Sequence, residues 1–180
     1  MGEPKRTRLI FLGFPDQAPA EAVVDVIMAG RESKAIVVED MVLLHKEVGG
    51  KVTVEGMKSA SHPSAVRGVA VGGTLGAVLA VISGPIGIGA VLGGAAIGAV
   101  AEALKDGGFK NDDIDTVSRF MADGRTGLMI AIPLADAEAW DPFVAEHAEF
   151  AASDKQHRVD IVPGRTFEQA MDEYRAQEDA

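Results

Sequence analysis

The most constraining feature of this sequence is a glycine-rich run from Gly68 to Ala101 that contains no charged residue. Its small residues recur at every fourth position, a spacing that places them on one face of an α-helix. They form the rows Gly68, Gly72, Gly76, Ala80 and Gly84, then Gly89 and Gly93, and in parallel Ala90, Gly94 and Gly98. Glycine on such a face lets another backbone approach closely, so the run predicts a helical hairpin built for close helix–helix packing.

A helix this rich in glycine needs support from a neighbour, because each interior glycine costs roughly 1 kcal/mol relative to alanine. The hairpin turn is expected at Ser83, Gly84 and Pro85, since proline cannot continue the helix. Each arm then has about 18 residues and a length of roughly 27 Å, which is the lower limit for a membrane span. Arg67 and Glu102 would lie at one end of the hairpin, opposite an uncharged tip. This arrangement suits insertion into a bilayer from one side, and it equally suits burial among identical tips in a soluble oligomer.

The segments that flank the hairpin predict a sheet domain with the element order β-α-β-β-α-β-α-β-α. Strands are expected at residues 8–14, 34–47, 51–55, 127–132 and 158–162, and helices at 17–29, 111–121, 141–150 and 166–175. The order favours an α+β fold of ferredoxin-like type, an antiparallel sheet with helices on one face. The expected domains are residues 7–62 with 109–164 for the sheet, 63–105 for the inserted hairpin, and 165–180 for a C-terminal helix or tail.

Local signals set several of these boundaries. Gly30 is expected to stop the first helix, and the pair Gly49-Gly50 predicts a tight turn between two strands. Asn111 is expected to cap the next helix, with acidic residues favourable in its first turn. Asp141 with Pro142 at the first turn predicts the start of the helix that follows the apolar strand 127–132.

Composition excludes several function classes. The net charge of −10 disfavours binding to nucleic-acid backbones, and aromatic residues make up only 5% of the chain. The chain has no cysteine, which removes disulfides, thiolate catalysis and Cys-ligated zinc. No apolar run of signal-peptide type follows the basic residues 1–8, so a cytoplasmic or inner-membrane-associated location is expected.

No group of residues in the sequence predicts catalysis. The four histidines, His45, His62, His147 and His157, show no metal-ligand spacing. The acidic stretch 106–115 lacks the residue order of a calcium loop, so helix capping is the expected role of its carboxylates. The glycine pairs in the hairpin lack the lysine of a phosphate-binding loop. We therefore expect no enzyme activity, no cofactor, no metal site and no identified small-molecule substrate.

Three stretches in a fixed order carry a family resemblance. They are the strand pair from Ala35 to Glu55, ending in GGKVTVEG, the hairpin RGVAVGGTLGAVLAVISGPIGIGAVLGGAAIGAVAEAL at 67–104, and NDDIDTVSRFMADGRTGLMIAI at 111–132. Together they resemble the bacterial family of unknown function numbered twelve sixty-nine, over roughly residues 10 to 162. The resemblance implies a glycine-zipper protein linked to stress and often labelled a membrane protein, and it implies no reaction and no catalytic residues. The hairpin departs from a typical membrane span by lacking aromatic residues as interface anchors.

Three hypotheses remain open from the sequence. The first is a non-enzymatic protein that assembles with copies of itself, with the hairpin inserted in or lying against a lipid bilayer. The second is a fully soluble particle or filament with hairpins packed in its core. The third is a ferredoxin-like module that binds a small ligand or a partner protein.

Overall fold

The computed structural model describes residues 6–49, 52–56, 75, 78, 102, 105–120, 122–162 and 176. Within these residues, five strands and three α-helices follow one another in the order β-α-β-β-α-β-α-β. This is the order that the sequence predicts up to the fifth strand. The strands are β1 (Thr7–Phe14), β2 (Asp40–Lys46), β3 (Val52–Gly56), β4 (Thr126–Pro133) and β5 (Lys155–Ile161). The helices are α1 (Gln17–Glu32), α2 (Asn111–Phe120) and α3 (Trp140–Glu146), and short 3-10 segments flank α3 at Leu134–Ala139 and Ala148–Ala152.

The five strands form one sheet in the order β3-β2-β4-β1-β5, and every neighbouring pair is antiparallel. The expectation of an α+β fold with an antiparallel sheet is therefore confirmed. Strand β4 occupies the centre, where its apolar sequence GLMIAI suits burial on both sides. Because β1 and β2 both run antiparallel to β4, they are parallel to each other, and α1 connects them by crossing over β4.

The main core lies on one face of the sheet, beneath α1 and the segment that contains α3. The side chains of Ile10, Leu12 and Phe14 in β1 point to this face, as the two-residue period of a strand requires. They pack in one cluster with Val23 and Ile27 of α1. Trp140, Phe143 and Phe150 complete the cluster from the connection between β4 and β5. This face is covered as the sequence predicts.

The prediction that all helices lie on one face is wrong, because α2 packs on the opposite face. A side chain at Gly13 would point toward Phe120 of α2, whose Cβ lies 3.5 Å away. Two residues earlier in β1, on the same face as Gly13, the ring of Phe11 contacts that of Phe109, with centroids 6.3 Å apart. The physical reason is that β1 is apolar at consecutive positions, so both of its faces must be covered.

The region between α1 and β2 also differs from the prediction. Gly30 lies inside α1, and the helix continues to Glu32. The chain then turns at Lys34, whose φ of 62° is in the left-handed region, and the N–H of Ala35 donates to the carbonyl of Gly30 over 2.8 Å. Residues 36–38, which were predicted as strand, form an irregular segment that buries Ile36 and Val38 before β2 begins.

The predicted helix over residues 141–150 is shorter than expected. It ends at Glu146, and His147 takes an extended conformation with φ −121° and ψ 111°. The Nδ1 atom of His147 lies 2.7 Å from the carbonyl oxygen of Phe143, where it can donate a hydrogen bond to the last turn of α3. The break lets Phe150 turn back toward the core, where its ring meets that of Trp140 edge-on at 5.7 Å.

Candidate functional site

The residues predicted for close helix packing lie outside the described residues. This holds for Gly68, Gly72, Gly76, Ala80, Gly84, Gly89, Gly93, Ala90, Gly94 and Gly98, and for the turn at Ser83, Gly84 and Pro85. Two residues of the first arm are described: Leu75 and Val78 are helical, and both are 0% exposed within the single chain. Both side chains are therefore covered by protein.

The segment that follows the glycine-rich run makes a tight connection to the edge of β5. Lys105 and Asp106 are helical, and a turn follows at Gly107 and Gly108. The carbonyl of Gly107 accepts a 2.8 Å hydrogen bond from the N–H of Val162, directly after β5. Gly108 has a φ of 109°, and a side chain there would lie 3.3 Å from the carbonyl oxygen of Asp160. Only glycine suits this backbone conformation and close approach.

Phe109 fixes the same connection to the sheet. Its side chain is 0% exposed, and its ring packs on that of Phe11 in β1. The next element, α2, is held by Asp113, whose Oδ2 accepts a 2.8 Å bond from the N–H of Lys110. Its Oδ1 lies 2.8 Å from Nε2 of His157 in β5. One carboxylate oxygen therefore caps the start of α2, and the other docks the helix on the sheet.

The start of α2 confirms the prediction of helix capping, but the capping side chain is Asp113 and not Asn111. Asn111 is the first helical residue, and the carboxylate of Asp113 reaches back to the N–H before it, as in one half of a capping box. Among the described residues, no group of three or more His, Asp or Glu side chains could hold a metal ion. Of the histidines, His45 pairs with Thr126 over 3.0 Å, and His62 lies outside the described residues.

Three arginine–aspartate pairs link β5 and the residues beside it to neighbouring elements. Arg8 of β1 donates to Asp160 through Nε at 2.6 Å and Nη2 at 2.8 Å, a two-bond geometry. Arg158 pairs with Asp141 of α3 in the same way, and Arg125 pairs with Asp154 just before the strand. In each pair the arginine hydrogen bond holds the pKa of the aspartate below its ordinary value.

The Arg8–Asp160 pair predicts a loss of stability in acid. Because the folded pKa of Asp160 is lowered, its contribution is fully present above the ordinary aspartate pKa and disappears as the pH falls through the lower folded pKa. Both side chains are partly exposed, so the pair is expected to contribute only about 0.2–1 kcal/mol at neutral pH. Replacing Asp160 with Asn should lower the melting temperature at pH 7, and the difference from the parent should shrink below about pH 4.

The partner residue supplies the control for this prediction. Arg8→Gln should lose the same part of the pH dependence, and the double variant should behave like either single variant. Thermal unfolding between pH 2.5 and pH 7 measures both effects. A difference between Asp160→Asn and the parent that stays constant over this range would contradict the assignment.

A cleft with a volume of about 160 Å³ lies on the main core face, at the start of β5. Its apolar wall consists of Leu12, Trp140, Val144 and Phe150, and residues 153–156 supply the polar side. Trp140 is 1% exposed, and its indole Nε1 has no hydrogen-bond partner among the described residues. No local pattern in the sequence predicts this cleft. The one available signal was that Trp140 is the single tryptophan of a chain poor in aromatics.

The described residues contain no helix with both the length and the apolar content to cross a membrane, and nearly all of the hairpin lies outside them. The described part of the chain is thus a sheet covered on both faces, and the residues that follow the glycine-rich run are anchored at its β5 edge. No family model, curated protein or solved structure matches the chain.

Proposed function

We propose that this chain is a non-enzymatic protein that assembles with copies of itself through its glycine-rich hairpin, and that the hairpin also contacts a lipid bilayer. The observation that carries the proposal is the uncharged run from Gly68 to Ala101 with its four-residue spacing of glycine. A helix of this composition needs another backbone against its glycine face. Copies of the same hairpin offer that surface.

The surroundings of the hairpin support this proposal. Phe109 and the hydrogen bond between Gly107 and Val162 attach the end of the hairpin to the sheet. Packing between the hairpins of neighbouring copies would therefore also bring their sheet domains together. We assign the sheet to residues 7–62 and 109–164, the hairpin to 63–105, and a tail to 165–180. In ferredoxin-like folds an antiparallel strand lies between two parallel strands that a helix connects. The order β5-β1-β4-β2, with β3 added at the edge, supports that finer assignment.

We also propose that the chain belongs to the family that its sequence resembles. The order of the strand pair, the hairpin and the acidic helix before an apolar strand supports membership of the twelve sixty-nine family and a glycine-zipper role in stress. The expected location is cytoplasmic or at the inner membrane.

A soluble particle or filament is the second candidate, and one observation favours it. Leu75 and Val78 are wholly buried within one chain. In a hairpin surrounded by lipid, large apolar side chains face the hydrocarbon, whereas here two of them face protein. The first arm can therefore be covered without a bilayer, with its glycine face left for other copies.

Replacing both Gly72 and Gly76 with leucine tests the proposal. Leucine favours both helix formation and membrane insertion, so a mechanism that depended only on lipid would keep its membrane binding. Close packing of backbones would be lost, and the double variant is expected to fall from the oligomer to smaller species. Sedimentation velocity measures this change, and the single-tryptophan fluorescence of Trp140 reports whether the sheet domain remains folded.

The matched control replaces the same two glycines with alanine. Alanine remains small enough for close packing, so this variant should keep the oligomer. An unchanged oligomer in the leucine variant would show that the glycine face does not join the copies.

A further inference from the structure

The face of the sheet opposite the main core, here called the second face, is apolar across four strands. Phe11 of β1 points to this face and lies opposite Met129 of β4, which in turn lies opposite Val42 of β2. Residues opposite each other in a ladder share a face, and so do residues two positions apart in a strand. The second face therefore includes Val42, Leu44, Met129 and Ala131, and each of the four is at most 2% exposed.

Helix α2 covers the half of the second face that β1 and β5 form. Phe120 of α2 approaches Gly13 of β1, and Asp113 pairs with His157 of β5. A helix is about 10 Å wide with its side chains, whereas neighbouring strands lie about 4.8 Å apart. One helix therefore covers about two strands, and the half that β4 and β2 form needs cover from another element.

Leu75 and Val78 are suited to supply this cover. Both are helical and 0% exposed within the single chain, and the described cluster of the main core includes neither of them. The other buried apolar side chains that the structure describes outside that cluster belong to the strands, to α2, or to Phe109 just before α2. Among the described residues, elimination thus leaves Leu75 and Val78 to pack on β4 and β2.

We propose that the first arm of the glycine-rich run docks through Leu75 and Val78 on the half of the second face formed by β4 and β2, and that this contact holds the arm away from the bilayer. The regulatory part of this inference rests on the bilayer contact proposed above. Lys46 follows Leu44 by two positions in β2, so its charge lies on the same face, where it pairs with Asp123 at 3.3 Å. Carrying that charge into hydrocarbon together with a docked arm would be costly. Insertion therefore requires the arm to leave the sheet.

Contacts between methyl groups test the docking on the unmodified chain. Leucine, valine and methionine methyl groups are labelled with ¹³C, and nuclear Overhauser effects are measured from Leu75 and Val78. We expect contacts with Val42, Leu44 or Met129, and none with Leu43, which lies on the opposite face of β2. Dilution of the labelled chain with unlabelled chain should leave these contacts in place. Their absence, or their loss on dilution, would overturn docking within one chain.

Two neighbouring leucines of β2 test the regulatory part. Leu44→Ala removes a contact from the second face, whereas Leu43→Ala removes the same atoms from the main core, and both side chains are buried. Flotation with phosphatidylcholine vesicles measures the bound fraction of the full chain, since anionic lipid would repel a net charge of −10. Leu44→Ala should bind several-fold more than Leu43→Ala, because it weakens the docked state. Equal binding of the two variants would contradict the regulatory role.

The two measurements separate this inference from the proposed function. If neither the parent nor the variants bind vesicles, the proposed bilayer contact is wrong, and the regulatory role is wrong with it. The methyl contacts still decide the docking in that case. They also decide it if an alanine variant does not fold, because they are measured on the unmodified chain.

Discussion

Replacing Phe109 with alanine is expected to lower the free energy of unfolding by about 3–5 kcal/mol, as is usual for deleting a buried aromatic side chain. Phe109 is 0% exposed and packs on Phe11, which is 1% exposed in β1. Removing its ring leaves a cavity on the α2 face of the sheet. Urea unfolding followed by the fluorescence of Trp140 measures the change.

Two further substitutions control this result. Phe109→Leu keeps most of the buried volume and should cost clearly less than alanine. Val48→Ala alters a side chain that is 89% exposed in the turn after β2, and it should leave stability within about 0.5 kcal/mol of the parent. A Phe109→Ala variant as stable as Val48→Ala would mean that the connection between Gly107 and α2 is not anchored at this ring.

Replacing Gly30 with alanine is expected to destabilise the protein by about 1–3 kcal/mol through overpacking. An alanine Cβ at this position would lie 2.5 Å from two ring carbons of Phe143 and 3.2 Å from Cγ1 of Ile36. Alanine in a helix normally gains about 1 kcal/mol over glycine, so the clash must outweigh that gain. The ring of Phe143 has little room to move, because it is 5% exposed and meets Trp140 and Phe150.

A double-mutant cycle isolates this contact. Phe143→Leu removes the outer ring atoms, and in that background Gly30→Ala is expected to be neutral or stabilising. Thermal and urea unfolding of the four proteins give the coupling free energy. If the two substitutions are additive, the close approach of α1 to α3 does not explain why glycine occupies position 30.

The strands that bury both faces were the easiest to predict from the sequence. The consecutive apolar residues of β1 and β4 specify buried strands without knowledge of their neighbours. The same apolar runs also require that other elements pack on both faces of the sheet. The prediction that all helices lie on one face does not meet this requirement. Residues 36–38 were predicted as strand because valine and isoleucine are frequent in strands. Ile36 and Val38 instead pack on the main core after the turn at Lys34, while Val37 between them is exposed.

The functional features depend on contacts between distant parts of the chain. Local pattern predicts the spacing of Gly72 and Gly76, but no local pattern brings Gly107 to Val162 or Asp113 to His157. The cleft likewise requires residues of β1, α3 and the start of β5 to meet in space. Glycine often ends helices, so the sequence predicts a helix stop at Gly30. The structure gives a different reason for glycine at this position, because the ring of Phe143 leaves no room for a Cβ.

The size and membrane association of the unmodified chain test the central claim most directly. Cells are lysed without detergent, membranes are pelleted and washed with alkaline carbonate, and the soluble protein is sized by light scattering. The proposal expects protein that resists the wash, or a discrete soluble particle several times the 18.8 kDa mass of one chain. A monodisperse soluble species of 18.8 kDa, with nothing left in the washed membranes, would contradict assembly through the hairpin.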